Sequence, residues 1–266
     1  MMVKPLIHPT AIVSKNAEIA NNVKIGAYSI IESGVILHDN TIVHPHVHIC
    51  KGVEIGARSE VFSFAALGHS PQDKSFNGEA TRLIIGNDTI IREHVTMHRG
   101  TTNGRSETRV GSHGYFMVGS HVAHDCTVGN DVILAQNSAI GGHVNIGNGC
   151  NIGAMAGVHQ FCHIGKHAFI GSMSAVTTDV IPYSTALGNH AHLAGLNVIG
   201  MKRGGISRPT ILSTRSAYRE LFASNGTLEQ RVESVREKYS KVSEVSEIID
   251  FIRSDRKRSL CLPNVK

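Results

Sequence analysis

The chain has 266 residues, 41% of them hydrophobic, enough to bury a large core as one long domain or as a domain with an appendage. Aromatics make up only 5%, Trp is absent and Gly numbers 27, which excludes a conventional aromatic-centred core and favours one of small and branched side chains. Charge divides the chain: from Lys202 onward 14 Lys and Arg stand against 8 Asp and Glu, whereas 12 stand against 13 before it, and all 17 His lie at or before His192.

The N-terminus MMVKPLIHPTA lacks the apolar core of a signal peptide, and no stretch approaches the roughly 18 apolar residues of a membrane span. A cytoplasmic chain without membrane insertion is expected, and no nucleic-acid partner. The five cysteines are odd in number and show no C-x-x-C spacing, so neither a disulfide framework nor a zinc knuckle is indicated.

From Ile7 to Leu67 a branched apolar residue recurs at every sixth position, and a small or β-branched one follows each by four. The same period runs from Val110 to Val176. No helix has a period of six; a short strand followed by a tight turn does, and such units must stack to bury their faces. Two polar interruptions, 68–82 and 98–109, read as loops inserted between coils, where binding groups concentrate, and are expected to reach across to a neighbouring chain. His44, His46 and His48 read as solvated, outward-facing residues alternating along one strand.

After Pro182 the period ends. Residues 188–205 read as an irregular connector. Ser207 ahead of Pro209 starts a helix ending near Asn225-Gly226, Thr227 with Gln230 suggests a capping box, and amphipathic segments follow at about 228–239 and 243–256. The chain therefore divides at 187 into a repeat domain (1–187) and a connector with a helical domain (188–266), the latter carrying the basic run Arg256, Lys257 and Arg258.

The repeat pattern resembles the hexapeptide repeat of the left-handed parallel β-helix, which implies three hexapeptides per coil and stacking of residues 18 apart, with coils separated by about 4.8 Å. On that rule His121, His124, Asp125, Gly142, His143, His159 and Gln160 converge on one edge from three consecutive coils. Cys126 sits at the small inward position also held by Ser120, Ser138, Cys150 and Cys162 and reads as core rather than nucleophile.

HPTA at 8–11, PQD at 71–73, GE-x-TR at 78–82, HRGT at 98–101, HVAHDCTVGN at 121–130, GGHV at 141–144, GVHQFCHIG at 157–165, GNHA at 188–191 and N-x-x-G-x-K-R at 197–203 together resemble the UDP-N-acetylglucosamine 3-O-acyltransferases of lipid A biosynthesis over essentially the whole chain. The resemblance implies transfer of an R-3-hydroxyacyl chain from acyl carrier protein to the 3-hydroxyl of UDP-N-acetylglucosamine, in a homotrimer. It implies His124 as general base and the Gly142 N–H as oxyanion donor, with Asp125 either orienting His124 across a turn or pairing with His143. It places Gln72, Asp73, Lys74, His98, His121, His143, His159 and Gln160 along the sugar and phosphate, and Asn197 with Arg203 at the nucleotide. Phe169, Ser172 and Met173 fall where the family measures acyl chain length. Phosphopantetheine arrives on the carrier protein, so no resident cofactor and no metal are implied, and Lys202, Arg203 and the tail form the expected patch for that acidic partner.

Two positions depart from the pattern: Gly204 stands where a second arginine is usual, and the lysine after PQD is displaced to Lys74, followed by Ser75. Other readings of the same residues are the sister lipid A N-acyltransferase, whose match to GNHA and the tail is poorer, a carbonic-anhydrase-like enzyme holding zinc with histidines of adjacent subunits, and a non-enzymatic β-helix scaffold.

Overall fold

The computed structural model describes residues 4–255 and 257–264, so Arg256 of the basic run lies outside the described residues. Short strands, most of them two residues long, stack into three sheets of eleven, nine and eight strands among the described residues, all parallel except for the last strand of the eleven, and these form the three faces of a left-handed β-helical prism. Where no loop intervenes, partners are 18 residues apart, as in His121 beside Ala139 and Ala139 beside Gly157.

Each hexapeptide buries two of its side chains. Val122, Ile140, Val158 and Val176 form one inward ladder, with Ser120, Ser138, Ala156 and Ser174 two residues before each. Small residues at the second position let the chain turn inward at the corner, and the hydroxyl of Ser138 there donates to Ala135 O at 2.7 Å.

Corners are held by residues in the left-handed backbone region, among them Tyr28, His46, Phe64, His94, Asp125, His143 and Phe161. For a non-glycine residue that conformation costs roughly 1–2 kcal/mol, and stacking offsets it. The rings of Tyr28, His46, Phe64 and His94 stack in sequence with centroids 5.1–5.3 Å apart. His44, His46 and His48 therefore do not alternate along one strand. His44 follows one strand, His46 occupies the corner, and His48 opens the next strand on another face.

The period also resumes earlier than Val110. Ile85, Ile91 and Met97 are inward residues of an intact coil between the interruptions, with Ile85 registered on Ile55 and Val110 on Ile85. Strands Ala66–His69, Arg82–Ile85, Thr96–His98 and Glu107–Val110 run into the expected loops, which shrink to 70–81 and 99–106.

The stretch 188–205 is more regular than its sequence suggests. Strand His192–Leu196 turns back antiparallel onto Ser184–Leu187, and helix α1 (Val198–Arg203) follows, capped by Asn197. Helix α2 (Arg208–Leu221) is capped by Ser207 and stops before Asn225, α3 (Leu228–Lys238) has the capping box of Thr227 and Gln230, and α4 (Ser243–Arg253) completes the bundle. Ile211, Leu221, Val232, Val235, Ile248 and Ile249 form its core. Beyond α4 the chain returns to the prism, where Leu260 and Pro263 bridge to Asp179 and Leu193.

Candidate active site

The nine-stranded face carries the cluster. His121 lies in a strand, and the chain then turns at His124-Asp125, where Asp125 takes φ +59°. That left-handed corner swings the Asp125 carboxylate back onto its neighbour, with Oδ2 2.8 Å from His124 Nδ1. Oδ2 is also 3.9 Å from His143 Nε2, so the carboxylate serves His124 first and faces His143 from one coil below.

Asp125 is fully buried, and the second inserted loop folds back over it. Thr101 Oγ1 donates to Oδ2 at 2.7 Å, the Thr101 amide donates to both oxygens at 3.1 Å, and the Arg105 amide donates to Oδ1 at 2.9 Å. Burial alone would raise its pKa, but the bonds from His124, Thr101 and Arg105 outweigh it and hold the carboxyl at about 2. An ionised carboxylate can only accept, so His124 Nδ1 donates to it, and in the neutral ring this fixes the tautomer whose Nε2 is the acceptor.

Gly142 lies one coil beyond His124. A Cβ there would come within 2.7 Å of the imidazole Nε2 and Cε1, so only glycine lets the backbone approach the ring this closely. Among the described residues no acceptor takes the Gly142 N–H.

Other histidines form a neutral surround. His121 Nδ1 bonds Thr96 Oγ1 at 2.7 Å, and its ring meets His98 edge-on at 4.8 Å. Burial lowers the pKa of His121 and His143, and burial followed by the repulsion of His121, His69 and His124 takes His98 down to about 4. Cys126 is core: its thiol donates inward to Gly141 O at 3.1 Å, and burial pushes its pKa up to about 12.

His121, His124, Gly142, His159, Gln160 and Gln72 line one cavity of about 580 Å³, and Asp125 and His143 stand behind it. Asp73 lies on the same loop as Gln72, and its pKa is lowered by the Ser75 amide, the Ser75 hydroxyl and the nearby His124 and His143. Lys74 is exposed beside it. The rest of the expected set lies elsewhere. Phe169, Asn197 and Arg203 line a second cavity of about 980 Å³ on the eleven-stranded face, and Ser172 with Met173 sits exposed at a corner. The Asn197 side chain is occupied locally, accepting from the Gly200 amide and donating to His167 O. One chain therefore does not bring the residues expected to be catalytic and those expected at the nucleotide together.

The sequence reading missed three contributors. Thr101 and Arg105 grip Asp125 by hydrogen bonds and Gly104 packs close against its carboxylate, and polar loop residues gave no sign of it. Ala139, Gly157 and Ala175 stack as small outward residues and floor the cavity; their recurrence every 18 residues at a normally polar position is the signal that marks them. Arg258 returns from the tail to donate to His159 Nδ1 at 2.8 Å and Gln160 O at 3.0 Å, while Lys257 covers the Phe161 ring that stacks on His143. Fold-back of a tail over such a distance in sequence leaves no local pattern.

Residues 179–261 match the family model described as UDP N-acetylglucosamine O-acyltransferase, domain 2. An acyl-(acyl-carrier-protein)-UDP-N-acetylglucosamine O-acyltransferase of Caulobacter vibrioides is 51% identical over 257 residues, which is 97% of this chain and 98% of that one. Among solved structures, LpxA from Acinetobacter baumannii superposes with a TM-score of 0.92 at 40% identity, covering 97% of this chain and 100% of that one. The Arabidopsis UDP-N-acetylglucosamine acyltransferase gives 0.86 at 31% identity over 96% and 100%. With half its residues identical to a relative aligned along nearly its whole length, the chain belongs to the acyl-carrier-protein-dependent UDP-N-acetylglucosamine O-acyltransferase family.

Proposed function

We propose that the protein transfers an R-3-hydroxyacyl chain from acyl carrier protein to the 3-hydroxyl of UDP-N-acetylglucosamine in lipid A biosynthesis, with His124 as general base. The observation that carries the mechanism is the buried Asp125–His124 pair, 2.8 Å apart, beside the cavity. A sugar hydroxyl is a poor nucleophile near neutral pH. In the neutral ring, whose tautomer Asp125 fixes by taking the Nδ1 proton as a hydrogen bond, His124 Nε2 accepts the hydroxyl proton as the oxygen attacks the thioester carbonyl. Asp125 stabilises the imidazolium that forms, as a fixed negative charge already ionised in the resting site. The Gly142 N–H donates to the oxyanion of the tetrahedral intermediate. Collapse breaks the C–S bond, and the imidazolium returns its proton to the departing phosphopantetheine thiolate.

The apolar floor of Ala139, Gly157 and Ala175 suits the acyl-pantetheine arm. Phe169, Ser172 and Met173, on the neighbouring face and corner, suit the end of the chain. The nucleotide groups Asn197 and Arg203 sit on a different face from His124, which supports a homotrimer in which one subunit supplies the base and its neighbour the diphosphate contacts. Lys202 and Arg203 on the basic tail side suit docking of the acidic carrier protein. The relatives' names favour oxygen over nitrogen as the acylated atom. Mass spectrometry of the product from UDP-N-acetylglucosamine and a panel of hydroxyacyl carrier proteins tests the reading: an O-acylated UDP-sugar is expected, and absence of acyl transfer across the panel overturns it.

A further inference from the structure

Ahead of the catalytic coil, the same nine-stranded face holds a second group of donors that acyl transfer does not use. Cys50 directly follows the strand His48–Ile49, and His69 ends the next strand, Ala66–His69. None of the three lines the cavity that His124 faces. His48 Nε2 lies 3.8 Å from Cys50 Sγ and 3.0 Å from Glu32 Oε1, and the rings of His48 and His69 meet edge-on at 4.7 Å. One ligand atom from each of His48, Cys50 and His69 lies within 4.8 Å of the other two.

Ligand atoms on a tetrahedral zinc, bound at about 2.0–2.3 Å, stand roughly 3.3–3.7 Å apart. The spacing here is within small side-chain adjustments of that geometry. We propose that His48, Cys50 and His69, with the Glu32 carboxylate as fourth ligand, bind one divalent cation of the zinc class.

The donor chemistry supports a borderline metal over calcium or magnesium, since two imidazoles and a thiolate exceed the single carboxylate. Glu32 is held from behind, its other oxygen accepting from the Lys51 amide at 2.9 Å, as outer contacts commonly orient metal ligands. Burial and then repulsion from His48 lower the His69 pKa, keeping that imidazole neutral and able to ligate. Burial and the negative charge of Glu32 keep Cys50 a thiol, with a pKa of about 12, so a cation must displace its proton to solvent on binding. Arg99 opposes the cation, but its single charge faces two anionic ligands, and it also donates to Gly68 O and lies over the Phe76 ring. A donor set drawn from positions 32, 48, 50 and 69 has none of the short regular spacings of a zinc motif, which is why the sequence showed nothing there.

Cobalt titration of the reduced, full-length protein tests the proposal. Co²⁺ in a thiolate site gives a near-ultraviolet sulfur-to-metal charge-transfer band together with intense visible bands of tetrahedral geometry. The other candidate donor group, His124, Asp125 and His143, contains no thiol, so the charge-transfer band separates the two. Saturation near one Co²⁺ per chain is expected, with displacement by Zn²⁺, loss of the band in Cys50→Ser and a large loss of affinity in His69→Ala. Absence of the band in the wild type, its survival in Cys50→Ser, or unchanged affinity in His69→Ala would overturn it. Because His69 is only partly buried, its variant keeps the test usable if the cysteine variant does not fold.

Discussion

Asp125 shows how a single backbone angle decides chemistry. Adjacent residues on a strand point to opposite faces, so the pairing with His124 depends on the left-handed corner at φ +59°. Periodicity placed the corner near this pair but left two partners open for the carboxylate, and the structure gives 2.8 Å to His124 against 3.9 Å to His143. His98 illustrates the opposite electrostatic case. Its pKa falls from 6.5 to about 4, and among the described residues its buried Nδ1 has no partner, so the folded state binds fewer protons there than the unfolded chain between those values. Stability contributed by this residue is present above pH 6.5 and lost as the pH falls toward 4. Urea denaturation across that window is expected to show declining stability that flattens in His98→Gln; an unchanged slope in the variant removes the assignment.

At the scale of elements, the coils were legible because a six-residue period has no helical alternative, and the inward ladder followed directly. The coil at 83–97 was hidden because the insertions on either side break the count, so a residue spacing of 18 becomes 30 between Ile55 and Ile85 and 25 between Ile85 and Val110. The purpose of the second insertion was hidden too, since all but one of its hydrogen bonds to Asp125 come from backbone amides that any residue supplies, the exception being the Thr101 hydroxyl. Gly104 offers a test. A Cβ there would lie 2.2 Å from Asp125 Oδ1, so Gly104→Ala should displace the carboxylate and lower kcat by about 10²-fold with little change in KM for the UDP-sugar. Normal turnover in that variant would show that the loop does not position the pair. The groove floor gives a second test. Gly157 faces open space, so Gly157→Leu should raise KM for the acyl donor at least tenfold while UDP-sugar binding by calorimetry is unaltered. Equal effects on both substrates would contradict the assignment of that floor to the acyl arm.

For the whole molecule, the resemblance supplied one list of site residues, and the structure divides that list between two faces. His124 and its neighbours line one cavity, while Asn197 and Arg203 line another. A sequence cannot show that division, because positions aligned on a family motif carry no information about which subunit each one serves. The division predicts complementation. Mixed trimers reassembled from equal amounts of His124→Ala and Arg203→Ala chains should recover about one quarter of wild-type sites, those pairing an intact His124 with a neighbour's intact Arg203. Activity no greater than the mean of the separate variants would mean that each site lies within one chain.

If His124, set by Asp125, removes the proton from the attacking hydroxyl, single-turnover acyl transfer by His124→Ala reads the loss of that step. A fall in the chemical step of about 10²–10⁴-fold, loss of the acidic limb of the pH–rate profile, and UDP-N-acetylglucosamine affinity within a few-fold of wild type are expected. Near-normal turnover with the acidic limb retained, in a variant that still binds the UDP-sugar, would contradict that role.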